Sequence, residues 1–217
     1  MYGELKDIAL VSGPSAFGVC TIEELRPHFD ALPLDQTGGL SHAISIGAPV
    51  SAAVLKGCII GPTRHYLHNY RMTNWTLDLT AAKLSMAIQN NGYNALPIPA
   101  SQIVDWEKQT AHMSHKMAAI RAGLGWIGRN NLLVHPEYGS KIRLATILTD
   151  MPLETDKPIE RDCGECRKCI EICPVSAIKD TYKDWNKTAC LEKLKHFAKV
   201  HNVGQYICGL CVKVCNP

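Results

Sequence analysis

Apolar and polar positions change period several times along the chain, and each change predicts an element. Thr21-Ile22-Glu23-Glu24 has the spacing of a capping box, so a helix is predicted over residues 21–31. Ala43-Ile44-Ser45-Ile46 alternates at the period of a strand, and Gly57-Cys58-Ile59-Ile60 reads as a second short strand or a helix end. Leu77, Ala81, Leu84 and Ile88 make one apolar stripe; with Asn74 as cap and Gly92 as stop they predict a helix over residues 75–90. Residues 93–98 read as a strand stopped by Pro97 and Pro99. Met113, Met117, Ile120 and Leu124 recur at helical spacing and predict a helix over residues 107–122, with that stripe facing the core. Residues 142–149 form the best strand pattern in the chain, and Asp156-Lys157-Pro158 reads as a linker. Residues 1–155 are therefore expected to be a mixed α/β domain and residues 156–217 a separate small one, an α+β protein overall.

Composition narrows the class. The chain has 217 residues, 46% of them hydrophobic, which suits one sizeable folded domain with a small appendage. No run approaches the roughly 18 apolar residues of a membrane span, and Met1-Tyr2-Gly3-Glu4-Leu5-Lys6-Asp7 lacks a basic region followed by an apolar one. Neither a membrane segment nor a signal peptide is expected, so the expected location is the cytoplasm. The formal charge is +3, with 12 Lys/Arg and 12 Asp/Glu in residues 1–155 and 11 and 8 in residues 156–217. The excess thus coincides with the cysteines, and it reads as compensation for bound anionic groups or as docking for an anionic redox partner rather than as a track for a phosphate backbone.

Those cysteines carry the strongest chemical signal. Eight of ten fall in the last 55 residues, as Cys163-x2-Cys166-x2-Cys169-x3-Cys173-Pro174, then Cys190, then Cys208-x2-Cys211-x3-Cys215. The first run is the pattern of bacterial ferredoxins, in which three cysteines hold one 4Fe–4S cube and the fourth ligates its neighbour. By that logic cluster one takes Cys163, Cys166, Cys169 and Cys215, and cluster two takes Cys173, Cys190, Cys208 and Cys211. Cys190 stands in for the absent first cysteine of the second motif. Zinc knuckles do not use three such steps ending in C-x3-C-P, and nothing marks the chain for a disulfide-forming compartment. Cys20 and Cys58 lie outside the region and read as small buried apolar residues.

Gly123-Leu124-Gly125-Trp126-Ile127-Gly128 matches G-x-G-x-x-G, but a predicted helix precedes it where a dinucleotide fold needs a strand. The glycines instead read as sites of close approach by something flat or large, or as tight turns. The stretch from Ile120 through Gly128, followed by Pro136-Glu137-Tyr138-Gly139-Ser140 and Leu148-Thr149-Asp150-Met151-Pro152-Leu153, resembles the core of epoxyqueuosine reductases. The part from Glu137 onward, with Asp156-Lys157-Pro158-Ile159, is also similar to corrinoid-dependent reductive dehalogenases. The resemblance covers residues 110–217 well and the first hundred loosely. It implies a nitroreductase-like α/β sandwich holding base-off cobalamin, followed by a bacterial-ferredoxin-like domain with two 4Fe–4S clusters, with a lone upstream cysteine at the position of Cys190.

Two departures bear on what the resemblance carries over. Epoxyqueuosine reductases have a proton-donating aspartate at the start of the helix leading into Arg121; counting back puts Gln109 there, with Asp105 the nearest acid. Glutamine is no general acid. The sequence also ends at Pro217, without the C-terminal helical repeats that help those enzymes hold tRNA, so tRNA is not expected as a partner. The chemistry is then assigned elsewhere. His112 and His115, three apart on the predicted helix with Lys116 adjacent, are candidates for a proton donor or a lower axial cobalt ligand. The segment from Gly61 to Arg71 packs two His, two Tyr and two Arg, and Tyr66 is its candidate acid. Gly123, Gly125, Trp126, Gly128 and Lys116 are the candidate corrinoid-binding residues, while Tyr138 reads as structural.

Three readings stay open. In the first, the chain is a cobalamin-dependent reductase that takes electrons from a low-potential donor of ferredoxin or flavodoxin type and reduces a small organic or modified-nucleoside substrate. In the second, it is an electron-transfer protein that serves a redox partner and has no substrate of its own. In the third, the α/β domain holds FMN in place of the corrinoid. A homodimer is compatible with each.

Overall fold

The computed structural model describes residues 1–217. In chain order its elements are α1 (Tyr2–Val11), β1 (Ala16–Thr21), α2 (Leu34–Thr37), β2 (His42–Pro49), α3 (Ala52–Lys56), α4 (Arg64–Asn90), β3 (Ala95–Ile98) and α5 (His115–Arg121). There follow β4 (Trp126–Ile127), β5 (Leu133–Val134), β6 (Ile142–Thr149), α6 (Lys168–Glu171), α7 (Lys187–Val200) and α8 (Leu210–Val214). No helix is long and apolar enough to cross a membrane.

These elements form two compact units, each discontinuous in sequence. The first comprises Met1–Ala48, Asn74–Leu124 and Arg143–Ile159; the second comprises Pro49–Thr73, Gly125–Ile142 and Glu160–Pro217. The expected domain boundary after residue 155 lies near the last crossing, but the cysteine-bearing unit also draws in residues 49–73 and 125–142. A short C-terminal segment alone buries too little apolar surface. It makes a core by enclosing Val50, Leu55, Cys58, Tyr66 and Tyr70 with its own Val203 and Ile207.

The first unit is built on a four-stranded sheet of order β1-β2-β6-β3. β1 runs antiparallel to β2, from Ala16↔Gly47 to Thr21↔His42, and β3 runs antiparallel to β6, from Ala95↔Thr149 to Ile98↔Thr146. The two central strands are buried on both faces, so Ser45, the polar residue of the expected alternation, is as enclosed as Ile44 and Ile46. Leu77, Ala81, Leu84 and Ile88 of α4 join Leu5 and Ala9 of α1 in one core with Ile44, Ile46 and Ile147. Each fully buried Leu or Ile there contributes about 1.5–3 kcal/mol.

Several expectations need correction. The Thr21–Glu24 pair forms, with Thr21 Oγ1 donating to Glu24 Oε2 at 3.1 Å, but it closes the turn after β1 instead of starting a helix. Only a 3-10 turn, Arg26–His28, follows, because Pro27 lacks a backbone donor. Gly57 caps α3, so residues 57–60 are a helix end. The predicted 75–90 helix starts earlier, at Arg64, and Asn74 is an interior residue whose side-chain oxygen accepts from Arg143 Nε at 2.9 Å. The predicted 107–122 helix keeps only His115–Arg121. Upstream, the Asp105 carboxylate accepts from the Glu107 and Lys108 amides at 2.9 and 2.8 Å, and Gln109 takes a left-handed φ of +53°. These bonds favour a tight turn closed by the Asp105–Thr110 bridge over a helical continuation. Asp156 is no free linker either: its carboxylate accepts from Val19 N at 2.9 Å and Tyr2 Oη at 2.8 Å, and its amide donates to Val19 O at 2.8 Å.

Candidate metal centre

All eight C-terminal cysteines belong to the second unit, where three helices position them. α6 packs against α8, and α8 against α3. α6 carries Cys169 and leads into Cys173; α8 carries Cys211 and ends at Cys215. Asn186 caps α7 by accepting from Ala189 N at 2.9 Å, which fixes Cys190 in the first turn. Gly209 begins α8 with a left-handed φ of +86°, and a Cβ there would lie 2.9 Å from Cε1 of Tyr66. Glycine is thus required where the Cys208 turn rests on the unit's aromatic core.

Cys163, Cys166, Cys169 and Cys215 line one cavity of about 690 Å³, with Trp126, Arg129 and Arg161 among its other walls. The thiols sort electrostatically. Burial, then Cys163, Cys215 and Cys166, pushes Cys169 up to about 11. Burial raises Cys208 to about 11 with Cys190 and Cys173 contributing, raises Cys190 with Cys173 contributing, and raises Cys211 further still with Cys208, Cys190, Cys169 and Cys173 nearby. Thiols held protonated in this way become ligands only where a cation compensates the thiolate charge, and binding releases their protons. No three His, Cys, Asp or Glu side chains converge as they would around one ion. A cubane differs from zinc in this respect, since each thiolate takes a separate iron.

The surrounding polar groups suit an anionic cluster. Ser140 Oγ donates to Cys215 Sγ at 3.4 Å and itself accepts from Asn130 Nδ2 at 3.0 Å. The Lys141 ammonium donates to the Cys215 carbonyl, and at 2.6 Å to Asn216 Oδ1. Ala177 N donates to Cys173 Sγ at 3.3 Å. Arg129 spans the ligand loop: Nη2 donates to Gly164 O at 2.7 Å, Nη1 to Cys166 O at 2.9 Å and Nε to Asp180 O at 2.9 Å. Arg129 drew no role from the sequence, where its only signal is its place just beyond Gly128, and Ser140 stood there only as the last residue of the Pro136–Ser140 motif. Gly139, at φ +59°, would bring a Cβ within 2.2 Å of Cys215 O, so the Glu137-Tyr138-Gly139 motif backs a cysteine of the cavity. Tyr138 stacks on His135 at 4.8 Å, in keeping with a structural role.

The other candidates fall in several places. Trp126 is buried, lines the same cavity and carries the Arg161 guanidinium 4.7 Å over its ring, while its indole N–H has no protein partner. The space a Cβ would need is taken at Gly123 by Lys157 O at 2.6 Å, at Gly125 by Val134 O at 2.1 Å and at Gly128 by Val134 Cγ2 at 2.5 Å. The chain's own atoms therefore claim the close approach that the sequence reserved for a cofactor. Tyr66 is buried in the apolar core, edge-on to Tyr70 at 6.3 Å, and the polar face of its helix, Arg64, His65, His68 and Arg71, is exposed. The helix is amphipathic, which accounts for the dense His, Tyr and Arg without a pocket. Cys20 and Cys58 are buried thiols, Cys20 pushed up to about 12 by burial first of all.

His112 and His115 do not share a helical face, since α5 begins at His115. His112 Nδ1 donates to Ala31 O at 3.3 Å and its Nε2 meets the Gln102 side chain at 3.1 Å. His115 Nε2 donates to Pro99 O at 2.9 Å, and Nδ1 accepts from Thr146 Oγ1 at 2.8 Å. Neither ring offers a nitrogen to cobalt. Burial, with Arg143 and His112 adding, lowers His115 to about 4, so it is neutral near pH 7 and donates no proton there. Lys116 follows it, half-buried, in the first turn of α5. Between the ordinary pKa of 6.5 and about 4 the unfolded chain binds a proton at this position that the folded chain does not. Stability from His115 is therefore full above pH 6.5 and lost as pH falls through that window, by up to about 3 kcal/mol. Thermal unfolding of His115→Asn from pH 7 to pH 4 should show a shallower loss than the parent; an equally steep loss would assign the acid lability to other groups.

The molecule's likenesses agree with the cysteine geometry. Residues 162–217 match the family described as a 4Fe-4S double cluster binding domain. Epoxyqueuosine reductase of Bacillus cereus is 45% identical over 69 residues, 32% of this chain and 18% of that protein. The Listeria monocytogenes epoxyqueuosine reductase is 36% identical over 115 residues, 49% of this chain and 30% of that one. This chain thus spans well under half the length of these relatives. In fold, it is similar to a catabolic reductive dehalogenase solved with 3-bromo-4-hydroxybenzoic acid, at a TM-score of 0.75 and 21% identity over 97% of this chain and 31% of the other. The Streptococcus thermophilus epoxyqueuosine reductase gives 0.66 and 19% over 99% and 65%. In sequence the likeness is thus to part of the epoxyqueuosine reductases, and in fold it is to those enzymes and to a reductive dehalogenase alike.

Proposed function

We propose that this chain is an iron–sulfur oxidoreductase that passes single electrons through two 4Fe–4S clusters toward a corrinoid. Cluster one takes Cys163, Cys166, Cys169 and Cys215; cluster two takes Cys173, Cys190, Cys208 and Cys211. The observation that carries this reading is the cavity walled by four cysteines of the first set, with Ser140, Lys141 and Arg129 aimed at its ligand-bearing backbone and sulfur. Hydrogen bonds to ligand sulfur and nearby cations favour the reduced, more negative cluster, so these residues set its potential. Cubane potentials span roughly −700 to +450 mV, and these groups move cluster one upward from the low end of that range.

The corrinoid rests on likeness: one similar fold, at a TM-score of 0.74 and 19% identity, belongs to a reductive dehalogenase for which B12-dependent dehalogenation is described. When bound, such a group supplies a cobalt centre that accepts electrons one at a time. The first unit, made of Met1–Ala48, Asn74–Leu124 and Arg143–Ile159, is the nitroreductase-like module proposed to hold it base-off, which agrees with histidines that keep their ring nitrogens for Pro99, Thr146, Ala31 and Gln102.

A second reading, an electron carrier serving a partner, is favoured by the turn at residues 105–110. Gln109 has no proton to give, and backbone donors, Lys108 first, hold the Asp105 carboxyl below the usual range, so it stays ionised near neutrality. Anaerobic purification, incubation with cobalamin and gel filtration distinguish the two. Retained cobalt at about one per chain is expected of the reductase. Full iron without cobalt uptake would favour the carrier, and a yellow flavin spectrum would assign FMN.

A further inference from the structure

Charge is divided sharply between the units. The cysteine-bearing unit has 15 Lys/Arg against 8 Asp/Glu, a formal +7, whereas the first unit has 8 against 12, a formal −4. Two oxidised clusters with their thiolates would remove about four positive charges and leave the second unit still cationic. Cluster compensation alone therefore does not account for its lysines.

The excess concentrates on α7, which bears Lys187, Lys193, Lys195 and Lys199 against one acid, Glu192, and that acid is paired with Lys195 at 2.8 Å. Cys190 lies on the same helix, with Lys187 three residues before it and Lys193 three after. On a helix those positions flank it by one turn each way. The apolar side of α7 faces inward through Phe197, which is buried, while Lys187, His196 and Lys199 are exposed. Lys193 lies 4.6 Å over the Phe197 ring, its stem covering apolar surface and its charge beside the face.

From this we propose that the exposed side of α7, behind the inward-facing Cys190, is the electron-entry surface, docking an acidic, low-potential, one-electron carrier protein. The proposal rests on the two-cluster reading above. Charge complementarity selects the occupant: an anionic carrier is drawn to the cationic helix that also supplies a ligand of cluster two. A nucleic acid fits less well, because single strands seek rings to stack on and the one aromatic ring of α7 other than His196 is Phe197, buried beneath Lys193. The step is one electron from the carrier to cluster two, which passes from its 2+ to its 1+ state while the carrier is oxidised by one electron. No bond forms or breaks.

The test uses holoprotein and flavodoxin hydroquinone in stopped-flow, comparing the parent with Lys187→Glu/Lys199→Glu, both exposed positions. The parent rate should fall steeply with added salt, and the double variant should be slower by about tenfold or more at low salt. Reduction by dithionite and iron content should be equal in both. An unmoved flavodoxin rate at full iron would overturn the docking face alone, as would equal slowing with dithionite. If the variant instead lost tRNA binding while keeping the flavodoxin rate, the face would be a nucleic-acid site. A parent protein without iron would overturn the two-cluster reading and this proposal together.

Discussion

Replacing Cys190 with alanine is expected to halve the iron, from about eight to about four per chain, and to leave cluster one intact. Cys190 is the ligand least apparent from spacing, 17 residues after Cys173 and 18 before Cys208. Its place is nevertheless fixed by the Asn186 cap and by the Cys190 N to Asn186 O bond of 3.2 Å, and Cys173 is the thiol that perturbs it. A cubane missing one of four thiolates is open to solvent at that corner and breaks down, so cluster two should disappear from the reduced spectrum. Cys20→Ala is the control: that thiol is buried against Ala118 O in the other unit and should leave iron unchanged. Iron near eight with an unaltered spectrum in the Cys190 variant would remove it from the ligand set.

Arg129→Gln should damage the opposite cluster. Its guanidinium satisfies three carbonyls, those of Gly164, Cys166 and Asp180, two of them inside the loop that supplies three ligands. A hydrogen bond from a charged donor contributes about 1.5–3 kcal/mol when buried. Arg129 is half-buried, so a total near 2 kcal/mol is a fair discount, about thirtyfold in the rate at which a chelator strips cluster one. Arg129→Lys keeps the charge but not the three-way fork, and should fall between parent and glutamine. Identical stripping rates in all three proteins would show that the loop holds its shape without the clamp.

What the sequence disclosed, and what it withheld, follows from the range of each interaction. β6 and the α4 stripe were legible because burial of Leu77, Leu84 and Ile88, or of β6 on both faces, imprints a period on consecutive residues. The double-cluster segment was legible because metal chemistry fixes the spacing of its cysteines. The 107–122 helix misled because Met113 serves the core from a strand-like bridge to Phe29, and a carboxylate turn at Asp105 outcompeted helical bonding. Tyr66 misled for a related reason: a helix amphipathic between an aromatic core and a basic surface looks, in one dimension, like a pocket. His115 gave no sign that Pro99 and Thr146 would consume both its nitrogens, because those partners are 16 and 31 residues away. Arg129 was invisible because its acceptors are backbone carbonyls, which leave no trace in side-chain chemistry.

The most direct measurement is acid-labile sulfide and iron on anaerobically purified protein, with EPR after reduction. About eight of each per chain, and a signal from two interacting 4Fe–4S clusters, is the predicted result. Zinc in place of iron, or iron without sulfide, would contradict the account at its root.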